Sequence, residues 1–233
     1  MDLRTAKVLV TGGSSGIGLA TARLLINEGA QVAICGRDEV RLQKAAEEIG
    51  ATGIVADVSL EADAVRMVAT VIETFGDYNV LINNAAVGHY ALLLDQKTDE
   101  FTRVLANNVT GAMMVARESA RHFVKQNTGN IINIASTAGS RGFAGGSAYT
   151  ASKFALTALT ECWRAELRKS NVRVMQINPS EVVTNFGKAS GQQQTASERK
   201  LQAEDIAEAV VSVLKLNDRA FVTDLTVWAT NPD

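Results

Sequence analysis

The chain is short of cysteine, proline, histidine and aromatic residues. Among its 233 residues are two cysteines, two prolines, two histidines and 5% aromatic residues. Cys35 and Cys162 are far apart and lie in apolar stretches, so we expect two small buried hydrophobic residues and a reducing compartment. So few cysteines argue against a disulfide framework or a cysteine-rich metal site, and we expect no metal.

The net charge is small, and long apolar runs are absent from the sequence. The formal net charge is −2, which leaves no electrostatic footprint for nucleic acid or for an acidic membrane surface. The longest uncharged stretches, residues 8–22 and 78–94, are interrupted by Gly, Ser or Asn and are too short for a membrane span. The first residues do not follow the order of a signal peptide. We therefore expect a cytoplasmic protein whose partner is a small molecule.

Apolar residues and glycine are abundant. The hydrophobic fraction is 46%, and there are 18 glycines without a collagen-like period. This composition excludes a disordered chain and a collagen-like one. At this length we expect one domain over residues 1–233.

Short apolar runs and amphipathic segments alternate along the whole sequence. This alternation predicts an α/β fold with a doubly wound parallel sheet of about seven strands and helices on both faces. Residues 185–200 are polar, and we expect them to form a flap beside the site. The predicted strands are 7–11, 31–35, 53–56, 80–83, 130–135, 172–178 and 220–228. The predicted helices are 16–27, 42–49, 65–75, 99–125, 149–169 and 206–214.

A glycine-rich turn joins the first predicted strand to the first helix. Residues 11–18 read Thr-Gly-Gly-Ser-Ser-Gly-Ile-Gly, with the spacing G-x-x-x-G-x-G. Glycines there allow a tight turn and let backbone N–H groups approach a pyrophosphate at the helix N-terminus. The turn lacks the lysine of a P-loop, which disfavours nucleoside triphosphate hydrolysis.

The same turn also matches the G-x-S-x-G elbow of serine hydrolases, with Ser14 as the nucleophile. That mechanism needs a histidine base, normally late in the chain. His89 and His122 both lie mid-chain, and we expect His122 to face outward from a helix. The elbow would also lie on the first strand, so a hydrolase is disfavoured.

Tyr149 and Lys153 are four residues apart on a predicted helix and therefore share a face. A phenol with an ordinary pKa of about 10 is a poor base at neutral pH. A nearby ammonium stabilises the phenolate and lowers that pKa, which makes tyrosine a usable general acid/base.

Several motifs occur together in a fixed order along the chain. The glycine turn is followed by Asn-Asn-Ala-Ala at 83–86, by Asn108 in Asn-Val-Thr-Gly, and by Ser136, which lies 13 residues before Tyr149. Asn-Pro at 178–179 is followed by Thr184. With these motifs the sequence resembles the short-chain dehydrogenase/reductase family over nearly its whole length, which implies a Rossmann-like fold.

The resemblance implies four catalytic residues. Tyr149 would donate a proton to a carbonyl oxygen during reduction, or accept it from an alcohol during oxidation. Ser136 would hydrogen-bond that oxygen, and Lys153 would bind the nicotinamide ribose and depress the pKa of Tyr149. Asn108 would hold a water that connects Lys153 to solvent.

The resemblance also implies a nicotinamide cofactor. Gly36 stands where an acidic residue would bind the ribose of NAD, and Arg37 follows it, so NADP(H) is favoured and NAD(H) is the alternative. Asp57 resembles the adenine contact. The full expected cofactor set is Gly12, Ser14, Ser15, Gly16, Ile17, Gly18, Arg37, Asp57, Val58, Asn84, Ala85, Ala86, Tyr149, Lys153, Pro179, Val182 and Thr184.

The substrate is less determined by the motifs. We expect Ser136 and Tyr149 to contact it, together with His89, Glu181 and Phe186, and we expect Tyr90 to flank the cleft as well. Glu181 is either a solvated loop charge or a residue that selects polar or cationic substrates or excludes acidic ones. The function predicted is hydride transfer between NADP(H) and a carbonyl or secondary alcohol, and the alternative is a non-catalytic NAD(P)-sensing protein on the same fold.

The sequence departs from the family pattern at two positions, where Ala86 and Ser180 replace glycines. The resemblance implies a homodimer or homotetramer, and the small residues Ala151, Ala155 and Ala158 would allow close approach of the paired helices.

Overall fold

The computed structural model describes residues 1–184, 186 and 199–231. Its centre is a parallel sheet of seven strands in the order β3-β2-β1-β4-β5-β6-β7. The strands are β1 (Lys7–Thr11), β2 (Gln31–Gly36), β3 (Thr52–Val55), β4 (Val80–Asn83), β5 (Gly129–Ile134), β6 (Val172–Pro179) and β7 (Asp224–Val227).

Helices connect the strands and cover both faces of the sheet. They are α1 (Gly16–Asn27), α2 (Glu39–Ile49), α3 (Glu61–Phe75), α4 (Thr98–Leu105), α5 (Ala112–Gln126), α6 (Ser147–Leu167) and α7 (Ala203–Lys215). A π-helical turn, Ala106–Gly111, joins α4 to α5. The predicted doubly wound, Rossmann-like α/β fold is confirmed.

Alternation along the strands divides the core into two halves. Val8 and Val10 of β1 face the layer formed by α1, α2 and α7. Leu9 of the same strand faces α3 and α5 on the opposite side. Because successive side chains of a strand point to opposite faces, strands buried on both sides are apolar throughout. This explains why short continuous apolar runs, and not alternating ones, mark the strands in the sequence.

Local signals set several helix ends. The Asp38 carboxylate accepts a hydrogen bond from the backbone N–H of Arg41 at the start of α2. Gly50 follows α2 with a φ of 74°, and Asn127 follows α5 with a φ of 53°. Glycine and asparagine tolerate this left-handed conformation, which satisfies the last carbonyls of a helix.

The predicted elements agree with the structure closely, with three corrections. The single helix expected over 99–125 is interrupted by the π-helical turn, and the last strand is limited to Asp224–Val227. Cys35 is buried as expected, but Cys162 is exposed, because it lies on the outer side of α6. Most of the expected flap at 185–200 lies outside the described residues.

In the part of the chain that the structure describes, no helix has the length and apolar character needed to cross a membrane.

Arg173 fastens the segment after α7 to the sheet. This buried side chain of β6 donates 2.6 Å to the Asn130 side-chain oxygen and 3.3 and 3.2 Å to the carbonyls of Leu216 and Ala220. Its guanidinium also lies 3.2 Å from the exposed carboxylate of Asp218. One cation on β6 therefore binds acceptors from the neighbouring strand β5 and from the loop after α7.

We predict that Arg173→Met lowers the free energy of unfolding by about 2 kcal/mol, because the substitution leaves the buried oxygen of Asn130 without its donor. Urea unfolding followed by circular dichroism measures the change. Arg23→Met is the matched control, since Arg23 pairs with Glu48 on the surface and its loss should cost about 0.5 kcal/mol or less. Equal losses in the two variants would contradict the assignment.

Candidate active site

A cleft of about 600 Å³ lies along the carboxyl edge of the sheet. The ends of β1 to β6 and the segments that follow them contribute its lining. The order of the strands reverses between β1 and β4: α1, which follows β1, covers one face of the sheet, and α5, in the connection that follows β4, covers the other. Such a switch point leaves a crevice in which α/β proteins bind ligands.

The glycine turn after β1 forms the floor of this cleft. Gly12 has a φ of 65°, which disfavours any side chain. A Cβ on Gly18 would collide with the Gly12 carbonyl. The turn can therefore lie close to the start of α1, whose first residues line the cleft. Backbone N–H groups at a helix N-terminus suit a pyrophosphate, so this turn fits a dinucleotide.

Hydrogen bonds between Thr11 and Asn84 hold the two sides of the crevice together. The Thr11 hydroxyl accepts from the backbone N–H of Asn84 and of Ala85, each at 2.9 Å. The Asn84 amide donates 2.8 Å to the Thr11 carbonyl and 3.3 Å to that of Gly12. The loops after β1 and β4 thus form one rigid support.

Almost all the expected cofactor residues line the cleft. They are Gly12, Ser14, Ser15, Gly16, Ile17, Arg37, Asp57, Val58, Asn84, Ala85, Ala86, Tyr149, Lys153, Pro179, Val182 and Thr184. Gly18 is the exception: it is buried against Gly12 and Asn84, so it permits close packing of the turn.

Two arginines lie at the end of the cleft formed by β2 and β3. Arg37 is exposed, and its guanidinium lies 3.8 Å from the Asp57 carboxylate. The other oxygen of Asp57 accepts from the backbone N–H and hydroxyl of Ser59 at 2.9 and 2.7 Å. Arg41 lines the same end and was not predicted from the sequence. The signal was present, since Arg41 follows Arg37 by four residues and α2 begins between them.

Tyr149, Ser136 and Lys153 meet near the middle of the cleft. Tyr149 and Lys153 lie in the first turns of α6, and Ser136 follows β5. The buried Lys153 ammonium donates 2.9 Å to the Ile134 carbonyl and lies 5.7 Å from the centre of the Tyr149 ring. The sequence spacing therefore brings three of the four expected catalytic residues together.

Burial controls the protonation of this group. It raises the pKa of Tyr149 well above its ordinary value; the neighbouring Tyr90 adds to this rise, and a hydrogen bond with Ser136 opposes it. Burial lowers the pKa of Lys153 to about 8. The sequence predicted a lowered Tyr149 pKa, and the structure has the opposite direction because desolvation is the largest effect on the phenol. At neutral pH Tyr149 is a neutral phenol that holds a proton to donate.

Asn108 does not line the cleft. The π-helical turn places its buried side chain against Val87, whose N–H donates 2.8 Å to the amide oxygen and whose carbonyl accepts 2.9 Å from the amide nitrogen. The same nitrogen donates 3.0 Å to the Ser152 hydroxyl, which donates 2.7 Å to the Tyr149 carbonyl. Asn108 thereby connects the loop after β4 to the first turn of α6.

Only some of the expected substrate residues line the cleft. Glu181 and Phe186 line the cleft, but His89 does not. The His89 side chain turns toward α4, where its Nδ1 lies 3.6 Å from Glu100, and it lines an adjoining cavity of about 350 Å³. The Glu181 carboxylate pairs with Lys200 at 2.7 Å. Tyr90, which the sequence predicted to flank the cleft, and Phe143 line the substrate end as well; no sequence motif identified Phe143 as a lining residue.

The geometry removes the hydrolase alternative. His122 is half-buried, contrary to expectation, because it bonds Asp77 at 3.2 Å and stacks on Tyr78. Tyr78 precedes β4, whereas Ser14 follows β1. Since these neighbouring strands run parallel, His122 and Ser14 lie at opposite edges of the sheet. No group of three or more metal-ligating side chains of the His, Cys, Asp and Glu types occurs among the described residues.

Known structures share this architecture. An alcohol dehydrogenase of the archaeon Thermococcus sibiricus, complexed with 5-hydroxy-NADP, is 28% identical with a TM-score of 0.88, and 96% of each chain is covered. A 3-ketoacyl-(acyl-carrier-protein) reductase of Brucella melitensis, complexed with NADH, is 27% identical with a TM-score of 0.90, covering 99% of this chain and 100% of that one.

Sequence comparison agrees with the structural one. An uncharacterized oxidoreductase of Staphylococcus epidermidis is 31% identical over 221 residues, 94% of this chain and 95% of the relative. One of Staphylococcus aureus is 32% identical over 231 residues, 97% of this chain and 99% of the relative. The family model for short chain dehydrogenases matches residues 6–195. The chain therefore belongs to the short-chain dehydrogenase family and is an oxidoreductase with a Rossmann-like fold.

Proposed function

We propose that the chain is an NADP(H)-dependent carbonyl reductase and alcohol dehydrogenase in which Tyr149 is the general acid/base. The observation that carries the proposal is that Tyr149, with Ser136 and Lys153 beside it, lines the same cleft as the glycine turn. A binding protein without catalysis would have no use for a buried phenol and ammonium at this place. The bound nicotinamide supplies or accepts the hydride.

In the reduction direction the residues act on the carbonyl oxygen. The Ser136 hydroxyl orients that oxygen, and the neutral Tyr149 phenol donates the proton that converts it to a hydroxyl group. Because burial raises the pKa of Tyr149, the proton is in place before reaction at neutral pH. In oxidation the same groups act in reverse.

Lys153 and Asn108 support this step. Lys153 lies beside Tyr149, and with a pKa of about 8 it is mostly charged at pH 7. Its charge stabilises the phenolate that forms when the proton leaves. Asn108 holds the first turn of α6 through Ser152, so it positions Tyr149 relative to the loop after β4.

Preference for NADP(H) follows from the end of the cleft near β2. Arg37 and Arg41 both line it, and guanidinium groups bind phosphate oxygens by paired hydrogen bonds. Because Gly36 has no side chain, this position offers no acidic group to bind the ribose of NAD. A Cβ at Gly36 would meet the Ser14 hydroxyl at 3.3 Å, so Ser14 would have to move by a few tenths of an ångström to admit a side chain there.

We also propose that the chain forms a single domain and assembles into a homodimer or homotetramer. On α6, Ala151 and Ala158 are exposed together with Phe154, which supports pairing through this helix.

We predict that Tyr149→Phe lowers kcat/KM for carbonyl reduction by at least about 100-fold, because the variant has no proton to donate. Its Kd for NADPH should change less than about threefold, since the ring remains. Steady-state NADPH oxidation and fluorescence titration measure the two quantities.

Tyr78→Phe is the matched control for this experiment. Tyr78 is a buried phenol that bonds Ser119 at 3.0 Å, away from the cleft, and the loss of its hydroxyl should leave turnover intact. Retained turnover in Tyr149→Phe would contradict the mechanism. Tight NADPH binding without turnover of any carbonyl by the wild type would favour the non-catalytic alternative.

We predict that the wild type uses NADPH with a kcat/KM at least about tenfold above that for NADH, and that Arg37→Leu removes most of this preference by losing the phosphate contact. Gly36→Asp should favour NADH, because a carboxylate binds the ribose hydroxyl and repels the phosphate. Steady-state kinetics with both cofactors measure the ratio.

Arg23→Leu is the control for the loss of a positive charge, because Arg23 is an exposed residue of α1 that does not line the cleft. It should leave the cofactor ratio unchanged. A wild type that uses NADH as well as NADPH would overturn the assignment.

A further inference from the structure

We propose that the substrate of this site is an uncharged carbonyl compound whose carbonyl carbon bears an aromatic ring, and that Tyr90 selects it. The inference rests on the proposed function, since it takes Tyr149 as the group that meets the carbonyl. It goes beyond that function because it assigns the class of substituent and the residue that recognises it.

Aromatic rings pack beside the ring of Tyr149. The centres of the Tyr90 and Tyr149 rings are 5.8 Å apart, and those of Tyr149 and Phe186 are 5.6 Å apart, both pairs tilted. Phe143 continues the series at 6.1 Å from Tyr90. All four line the cleft. This aromatic cluster (Tyr90, Phe143, Tyr149 and Phe186) presents ring faces and edges where a substituent next to the carbonyl must lie.

Such rings favour an aromatic substituent over a saturated one of the same size. Aromatic pairs prefer offset or edge-to-face arrangements with centres 4.5–7 Å apart and gain from them beyond the burial of area. The spacing within the aromatic cluster already falls in that range. A flat ring placed among them can make the same contacts, whereas a cyclohexyl ring of equal bulk cannot.

The charges at this end of the cleft are already paired. Arg103, which lines the cleft, pairs with Glu100 at 2.6 Å. Glu181 pairs with Lys200 at 2.7 Å. A charged substituent would have to break one of these pairs or be desolvated without a partner, which is costly. The described residues thus favour a neutral substrate, and this weakens the interpretation of Glu181 as a selector of cations.

Tyr90 is held in place by contacts on both sides of it. Next in the chain, the Ala91 N–H donates 2.9 Å to the Gly145 carbonyl, in the segment that carries Phe143. Before it, Val87 is held through its N–H and its carbonyl by Asn108. Tyr90 itself is partly buried between Phe143 and Tyr149. A ring positioned in this way can select a substrate by shape without reorganising.

The test compares four ketones with the NADPH-loaded enzyme: acetophenone, cyclohexyl methyl ketone, para-acetylbenzoate and para-acetyl-trimethylanilinium. We expect kcat/KM for acetophenone to exceed that for the cyclohexyl compound by about tenfold. It should exceed those of both charged ketones by at least as much. Tyr90→Leu should reduce the ratio of acetophenone to cyclohexyl methyl ketone toward one, whereas Tyr90→Phe should retain it.

Two further measurements keep the test independent of folding and of turnover. Phe143→Leu changes a ring that is 47% exposed and should lower the same ratio by a smaller factor, even if Tyr90→Leu does not fold. Calorimetric titration of acetophenone into the NADPH complex of Tyr149→Phe measures binding without reaction. Acetophenone should bind there more tightly than cyclohexyl methyl ketone.

The outcomes separate the two proposals. Turnover of the ketones with no preference for the aromatic compound, or with a preference for a charged one, overturns this inference and leaves the proposed function standing. An aromatic preference that Tyr90→Leu does not alter overturns the role of Tyr90. Turnover of none of the four ketones, with no binding of acetophenone to the Tyr149→Phe complex, overturns this inference as well. Turnover of none of a wider range of carbonyl compounds overturns the proposed function itself.

Discussion

The hydrogen bonds between Thr11 and Asn84 are the constraint on which the site depends. A parallel sheet whose helices leave toward both faces opens a crevice where the direction changes, and here that crevice lies between β1 and β4. Without a link the two loops there would move independently. The Thr11 hydroxyl and the Asn84 amide satisfy backbone groups on both loops. The glycine turn that faces the cofactor and the loop that leads to Tyr90 therefore share one support.

Burial, more than any charged neighbour, determines the chemistry of the site before reaction. It keeps the Tyr149 proton on the phenol and lowers the pKa of Lys153 to about 8. The site thus holds a proton donor in apolar surroundings, with a cation beside it that can stabilise the conjugate base. This arrangement suits reduction at neutral pH. The buried Lys153 donates a hydrogen bond to the Ile134 carbonyl, which joins α6 to the end of β5 at the proposed acid/base group.

The alternation of strands and helices, the doubly wound parallel sheet and the positions of Ser136, Tyr149 and Lys153 could be predicted from the sequence, because apolar runs and motif spacings act locally. The features that could not be predicted depend on tertiary contacts. The π-helical turn at Ala106–Gly111 inserts an extra residue that hydrophobic periodicity does not reveal. His89 lies outside the cleft, where its Nδ1 is 3.6 Å from Glu100 of α4. The direction of the Tyr149 pKa depends on burial, which the spacing to Lys153 does not report.

The two ends of the cleft are built from different kinds of structure, and this has a consequence for selectivity. The cofactor end consists of strand ends and the glycine turn, where a Cβ on Gly18 has no space; few substitutions are tolerated there. At the substrate end, Tyr90 and Phe143 come from two separate loops. Substituting either of them alters neither the Thr11–Asn84 hydrogen bonds nor the Asn108–Ser152 link. Substrate choice can therefore be altered at Tyr90 and Phe143 while the cofactor end of the cleft stays unchanged.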